Sequence, residues 1–385
     1  MFFTIIIFVA VLSVLVFVHE LGHFLTARRL GVKAEEFGFG FPPRLGGVYR
    51  SRSDKWRWIF GDKDLETLES LPEKDQPAPR ATVYSLNWLP IGGFVKIKGE
   101  NGGDGDDSDS FSSKSIWKRV LILSAGVIMN AFLAWILFSF SYLIGMPQAN
   151  SDLSEGAVIS GQKVMVMEVT PGSPAAAAGL EEGDVIRRIN NEEISTESSL
   201  QEKVAAHGGE EITLAVERAD KTLELKATPF SKDGGRATIG IAIYSTATVR
   251  YGFFQSFWEG IKMTVWVVGQ IFTTFYGLLK GLFGGNDVSS QLAGPVGIAT
   301  ITGQAARLGF SYLLQFVALL SVNLAVLNIL PFPALDGGRI VFLIIEKIGG
   351  RPVKKEVENL AHNIGFILLM VLVVFITYKD IAKLF

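Results

Sequence analysis

The chain has 385 residues, 49% of them hydrophobic and only 19% charged, with a formal net charge of −2 and no cysteine. So small a net charge gives no electrostatic basis for nucleic-acid binding. Without cysteine there are no disulfides, iron–sulfur clusters or thiol nucleophiles; the redox compartment is unreadable and any transition metal falls to His, Asp and Glu.

The apolar residues are clustered. Residues 2–18, 120–151, 263–279, 308–335 and 364–378 carry no charge, and uncharged runs of about 20 residues match a hydrocarbon core roughly 30 Å thick. Residues 1–33 are expected as a transmembrane helix rather than a signal peptide. They lack a positive n-region, the apolar stretch exceeds about 15 residues, and no A-x-A-like site follows. The segment starts uncharged and ends at Arg28, Arg29 and Lys33, so the positive-inside rule puts the N-terminus outside and residue 28 in the cytoplasm.

The end of this helix reads 19-HELGH-23. Four residues apart on a helix, His19 and His23 share one face and can both reach a zinc ion, with Glu20 beside its water. Each ionisable group inside a membrane helix costs about 2.5 kcal/mol or more unless paired or functional. Three within five positions argue against a pair of interfacial anchors.

Residues 34–116 form a cytoplasmic, membrane-dipping β region. Within it, 81-ATVYSLNWLPIGGFVKIKGE-100 predicts paired strands turning at Gly92-Gly93, tolerated in a bilayer only where protein covers their edges. Residues 51–80 are expected as a surface insertion at the cytoplasmic interface, with no legible purpose. Residues 100–109, ENGGDGDDSD, are acidic. A calcium loop needs Gly at its sixth position and Glu at its twelfth; counted from Asp104 those places hold Asp109 and Ser115, so a solvated linker is expected. The second span, 117–145, follows Lys114, Lys118 and Arg119 and runs outward.

Residues 157–229 change character. The pattern predicts a strand at 164–169, a turn at Pro171-Gly172, a short helix from Ala175 to Ala178, a helix at 197–207, and strands at 211–218 and 221–228 turning at Ala219-Asp220. This resembles a bacterial protease-associated PDZ domain, whose groove takes an extended peptide or C-terminus by strand addition; a small spacer that binds nothing stays open. It follows the second span and so lies outside.

The third span, 308–348, contains 328-NILPFPALDGGR-339. Pro331 and Pro333 cannot continue a helix, so the backbone unwinds where Asp336 can turn inward as a third metal ligand; a helix-capping Asp at the interface is the alternative. His19 and His23 sit near the cytoplasmic end of an inward-running helix, so Asp336 needs the same direction. An even number of crossings must therefore separate it from the PDZ-like domain. Residues 250–307, with Glu259, Lys262 and Lys280, are accordingly expected as an outer-face amphipathic or re-entrant helix and a loop. Residues 359–380 form the last span, returning outward, with His362 as an interfacial residue. The fold class expected is an α-helical polytopic membrane protein: four transmembrane helices, a membrane-associated β-hairpin or sheet, and an inserted α+β PDZ-like domain.

HELGH, NxxPxPxLDG, the PDZ-like domain between them, and the segments GFGFPP, LPIGGFVKIKGE and SAGVIMN together resemble the site-2 protease family of intramembrane zinc metalloproteases, of the bacterial regulator-of-sigma-E type, over nearly the whole chain. The resemblance implies one Zn2+ held by His19, His23 and Asp336, with Glu20 as general base. It implies substrate or transition-state contacts from Asn323 and Asn328 and substrate-strand binding by 91–99, including Gly92, Gly93, Phe94 and Val95. Asn130, in 126-GVIMN-130, matches a family motif facing the site and joins these contacts. The partners implied are the lipid bilayer and single-pass membrane proteins such as anti-sigma factors, and remnant signal peptides, cut in regulated intramembrane proteolysis with the PDZ domain as filter. The implied location is the bacterial inner (cell) membrane, with both termini and the PDZ domain extracytoplasmic and the zinc site toward the cytoplasm. Two departures stand out: many Gram-negative relatives carry two PDZ domains, and the 51–80 insertion is long. The rivals are a non-catalytic, zinc-stabilised membrane adaptor that binds peptides through the PDZ domain and, more weakly, a zinc transporter.

Overall fold

From Phe2 to Val18 nothing interrupts a helix, neither proline, glycine nor charge, and helix α1 runs from Phe2 to Arg29, carrying the HELGH motif in its last third. The structure, a computed structural model, describes residues 2–61, 68, 70–100, 107–149, 156–218, 221–231, 235–284 and 293–382. Most of the acidic linker and the Ala219-Asp220 turn lie outside the described residues, as do 62–67 of the insertion and 285–292 of the outer loop. The chain divides into two units, Met1–Leu137 with Ile261–Ala306 and Phe316–Phe385, and Phe138–Gly260 with Arg307–Gln315.

Among the described residues, four helices are long and apolar enough to cross a membrane: α1, α2 (Ile116–Ile144), α7 (Phe310–Ile329) and α9 (Lys355–Ala382). In the first unit, Ser321 of α7 donates to the Asn130 carbonyl of α2 at 2.8 Å, a hydrogen bond of the kind that joins helices where water is scarce. The third apolar segment is not one helix over 308–348. Helix α7 ends at Ile329, the prolines carry the chain through a turn in which Ala334 has φ +78°, and α8 begins at Asp336 and runs to Gly349. The returning chain is so close that a Cβ on Gly337 would lie 2.2 Å from the Leu330 oxygen and 2.3 Å from that of Ile329.

The first unit also holds a sheet in the order β2-β1-β3, from strands Ala34–Arg50, Trp56–Phe60 and Val83–Ile97. Phe37 pairs with both Tyr84 and Val95, Gly38 with Ser85 and Phe94, and Phe39 with Leu86 and Gly93, while Gly46 and Val48 pair with Leu86 and Tyr84. Both long strands therefore double back, β1 around Pro42-Pro43 and β3 around Gly92, whose φ is +75°. This corrects the expected hairpin: the reversal exists, but its arms flank the first half of β1 instead of pairing with one another. In the acidic segment, Asp107 and Asp109 bind the Lys98 ammonium at 2.6 and 3.0 Å. Those hydrogen bonds push the Lys98 pKa up.

In the second unit, the strands and helices expected over 157–229 appear as β5 (Val158–Val169), α3 (Pro174–Ala177), α4 (Glu197–Ala206), β8 (Ile212–Arg218) and β9 (Lys221–Ala227), joined by two strands that were not expected, β6 (Val185–Ile189) and β7 (Glu192–Glu193). Their apolar faces meet in one core that includes Val166, Ile186, Leu200, Ile212 and Leu214. The boundary at 229 needs correction. Strand β10 (Ile241–Arg250) lies between β5 and β4 (Met146–Ala149), so the sheet is completed from both sides of the expected domain. Helix α5 is continuous from Phe253 to Phe283, with residues from Ile261 onward belonging to the first unit. Its apolar side chains gather on one face far more than those of α1, α2 or α7. Helix α6 (Pro295–Leu308) follows.

Gly337→Ala should be among the most damaging single-methyl changes in the chain, because the atoms it meets are backbone. Overpacking costs about 1–3 kcal/mol, and a fall in the melting temperature of the purified protein in detergent, absent for an alanine at exposed Gly349, is the outcome to check.

Candidate metal centre

The i, i+4 spacing turns His19 and His23 to one side of α1, where both are buried. Asp336 arrives from the first position of α8. The Nε2 atoms of the two histidines are 3.2 Å apart, and Oδ2 of Asp336 lies 3.0 Å from His19 Nε2 and 3.4 Å from His23 Nε2. Ligand atoms about 2.0–2.1 Å from a tetrahedral zinc are separated by roughly 3.3 Å, so the triangle has the size a zinc ion requires.

Its protonation pattern fits as well. His23 Nδ1 lies 2.8 Å from the Ile122 carbonyl oxygen, which can only accept, so Nδ1 carries the proton and Nε2 presents a lone pair. Asn130 Nδ2 stands 3.3 Å from His19 Nδ1 while its Oδ1 is buried without a partner. A half-turn of the amide gives that oxygen to an Nδ1–H of His19 and leaves the second Nε2 bare too. Asp336 Oδ2 is itself buried and without a hydrogen-bond donor. Three acceptors facing one another repel unless a cation lies between them. Among the described residues, His19, His23 and Asp336 are the group able to hold a metal.

The floor of the site is a glycine. A Cβ on Gly126 of α2 would sit 2.4 Å from His23 Nε2 and 2.8 Å from His19 Nε2, inside the space the ligand atoms face.

Glu20, one residue beyond His19, accepts a hydrogen bond at Oε2 from the Val95 amide of β3 at 3.2 Å. It lines a cavity of about 240 Å³ with His19, Asp336, Asn328, Val16 and Leu335. Asn328 Nδ2 is 3.5 Å from His19 Nε2. Asn323 does not line this cavity; five positions earlier on α7, it points about 140° away round the helix. Asn130, expected as a substrate contact, is fully buried beside His19, where its amide can orient the imidazole. Gly92 and Gly93 pack on α1, where a Cβ would meet Val16 and Phe17 respectively. Ser13 donates to the Pro90 oxygen at 2.7 Å and receives the Gly92 amide at 3.3 Å, pinning the strand reversal. Phe94 and Val95 continue the same arm.

Two contributors were not visible in spacing. Gly126 opens GVIMN, and nothing in that motif marks it as the floor of a metal site. His362, expected at the interface, instead accepts from the Ala334 amide at 2.8 Å, bracing the turn that delivers Asp336. Pairwise contacts of this range leave no local pattern, and only the positive φ forced on Ala334 by the doubled-back turn marks the place.

The second unit has a cleft of its own, about 400 Å³, between α4 (Leu200, Gln201, Val204) and the start of β10 (Gly240, Ile241, Ile243). The Ser245 amide donates to Glu197 Oε1 at 2.7 Å, closing one end.

The sequence profile of Peptidase family M50 matches residues 7–60 and 76–372. The chain is 31% identical over 434 residues to the regulator of sigma-W protease RasP of Bacillus subtilis, covering 99% of each protein. It is 35% identical over 371 residues to a Clostridium perfringens protein named as a zinc metalloprotease, covering 96% of each. It is 29% identical over 461 residues to the zinc metalloprotease RasP of Geobacillus kaustophilus, covering 99% of this chain and 98% of that one. Among solved structures, the PDZ domain of the SdrC-like protein from Listeria monocytogenes is similar to 22% of this chain and covers 92% of its own, at 22% identity and a TM-score of 0.21.

Asn130→Leu removes the group that fixes His19 without touching a ligand. Loss of such an outer partner costs about 10–100-fold in metal affinity, measurable by competition with a chromophoric zinc chelator. Gly126→Ala should lower zinc content further, read by elemental analysis of the purified protein.

Proposed function

The chain belongs to Peptidase family M50, the site-2 protease family of zinc metalloproteases, and on that premise we propose that it hydrolyses peptide bonds within or near the transmembrane segments of single-pass membrane proteins. The observation that carries the reading is the convergence of three bare acceptors, from residues 19, 23 and 336, beside a carboxylate that is free of that triangle. His19, His23 and Asp336 would hold the zinc. When bound, zinc supplies Lewis acidity that polarises a peptide carbonyl and lowers the pKa of water toward about 7.

Glu20 is the general base: its carboxylate takes the proton of the attacking water and hands it to the leaving nitrogen. Asn328 donates from Nδ2 toward the developing oxyanion. A helical substrate hides its carbonyls in its own hydrogen bonds and has to unwind before attack. The 91–97 arm of β3 supports that step as an outer arm of the sheet, on which an extended segment can pair through its backbone. The four apolar helices are read as membrane spans, with the metal site toward the cytoplasmic side and the second unit outside, in a bacterial cell membrane. Arg28 and Arg29 at the end of α1 and the basic residues after Asp336 support that orientation.

The cleft between α4 and β10 is read as a peptide groove, admitting substrates already shortened by another protease and exposing a new C-terminus. The occupied Ser245 amide limits strand addition to the β10 residues nearer Gly240.

Glu20→Gln separates catalysis from metal holding: zinc should stay stoichiometric while cleavage of single-pass helices, followed by mass spectrometry, falls by at least about 100-fold; unaltered cleavage would favour the adaptor reading. Gln201→Trp, an exposed change that fills the groove, should weaken binding of C-terminal peptides by fluorescence anisotropy and alter discrimination between trimmed and untrimmed substrates.

A further inference from the structure

Strand β2 turns Trp56, Trp58 and Phe60 to one face of its sheet and Arg57 and Ile59 to the other. The three aromatic residues are 60%, 72% and 65% exposed. The opposite face is covered: Ile59 is buried with Tyr49, Leu68 and Val83, Arg57 is paired with Asp75, and the Asp75 carbonyl accepts from the Tyr49 hydroxyl at 2.9 Å. Among the described residues that follow β2, Leu68 and Asp75 therefore lie on one side of the sheet, and the three aromatic rings stay exposed on the other. Leu68 and Asp75 fall within 61–75, the stretch the family profile does not match.

The bare face has a definite continuation. Residues directly opposite in neighbouring strands share a face. Trp58 thus lies in a row with Val48, Tyr84 and Phe37, and Phe60 in a row with Gly46, Leu86 and Phe39. At the far end of those rows Phe37 stacks on Phe24 of α1 with ring centroids 4.6 Å apart, and Phe39 meets Phe17 of α1 at 5.8 Å. One sheet face begins under a helix long and apolar enough to span a membrane and ends in three exposed aromatic rings.

We propose that the aromatic face of β2 rests on the bilayer beside α1, at the headgroup boundary, so that the 51–80 insertion is a membrane-surface anchor for the β sheet. This rests on the reading of α1 as a membrane span. Lipid is favoured over a protein partner because the patch is continuous with that helix. The Tyr84 hydroxyl in the Trp58 row also accepts from Arg28 at 2.9 Å, which sets the level at the basic end of the span, and tryptophan and tyrosine are the residues that gather at that level. Each ring can remove about 150–250 Å² from water. Arg50, Arg52 and Arg57 are paired with Asp54, Glu73 and Asp75, so the charge of these three is met within the chain and the aromatic rings carry the contact.

The absence of cysteine allows a direct test. Trp58→Cys and Phe60→Cys on the bare face, Lys74→Cys on the covering segment and Val374→Cys on α9 are each made in the full chain. Each is labelled with a nitroxide and reconstituted in phosphatidylcholine vesicles, and relaxation by oxygen is compared with relaxation by a water-soluble nickel chelate. The oxygen-to-nickel ratio should be highest at 374 and several-fold higher at 58 and 60 than at 74. Ratios at 58 and 60 equal to that at 74, with 374 in lipid, would overturn the anchor and leave the spanning reading intact. Spin–spin broadening at 58 and 60 that disappears on dilution with unlabelled protein would overturn it in favour of a second copy. An aqueous ratio at 374 would overturn the spanning reading and the anchor with it.

Discussion

Two imidazole nitrogens and a carboxylate oxygen, all acceptors, are held within 3.4 Å of one another among apolar helices. Left to themselves they repel, and the burial of both imidazoles leaves little water to screen them. Such an arrangement is tolerated only if a cation takes its place among them or the surrounding structure fixes it against relaxation. The chain does the fixing at four points, three of them on one face of α2. The Ile122 carbonyl holds His23, the Asn130 amide faces His19, the Gly126 backbone leaves the space between them open, and the turn before α8 delivers Asp336.

That turn is the part least able to vary. Pro331 and Pro333 stop α7 one turn after Asn328, and the same interruption lets Asn328 and Asp336, eight positions apart, line one cavity. Doubling back brings Gly337 against the last carbonyls of α7 and puts Ala334 at positive φ, strain that a non-glycine residue keeps only if neighbours impose it. The bond from the Ala334 amide to His362 and the close approach of Gly365 to the Pro333 carbonyl impose it from α9. The last apolar helix therefore has a structural part in the metal centre although it supplies no ligand.

What the sequence made legible follows from the range of each interaction. His19, Glu20 and His23 are fixed by helical periodicity alone, and Asp336 was found because prolines inside an apolar run announce an interrupted helix. The four long apolar helices could be read for the same reason, since charge-free length is a local property. The doubled-back sheet could not: alternation in β3 is the same whether its arms pair with each other or with β1, and only the register decides. Strand β10 was missed because its partner β5 lies more than 70 residues earlier and the Gly-containing stretch before it looks like the end of a domain. Asn323 was placed at the site by resemblance, and the rotation of α7 turns it away from the cavity that Asn328 lines; the burial of Asn130 against His19 cannot be read from a motif.

In the first unit, the polar side chains buried within otherwise apolar helices mark the working level of the bundle more clearly than cavity size does. Ser13 pins the reversal of β3, Ser321 ties α7 to α2 at Asn130, and Asn130 in turn addresses His19. Each would cost free energy in an apolar setting without its bond, so their presence in those helices requires the partners they have. Every one of those partners leads, within one or two contacts, to the metal triangle or to the strand whose Val95 amide holds Glu20. Glu20 is thus tethered to the outer arm of β3, and His19 and His23 to α2, the helix that fixes their protons, so that moving either the strand or that helix would disturb the site directly.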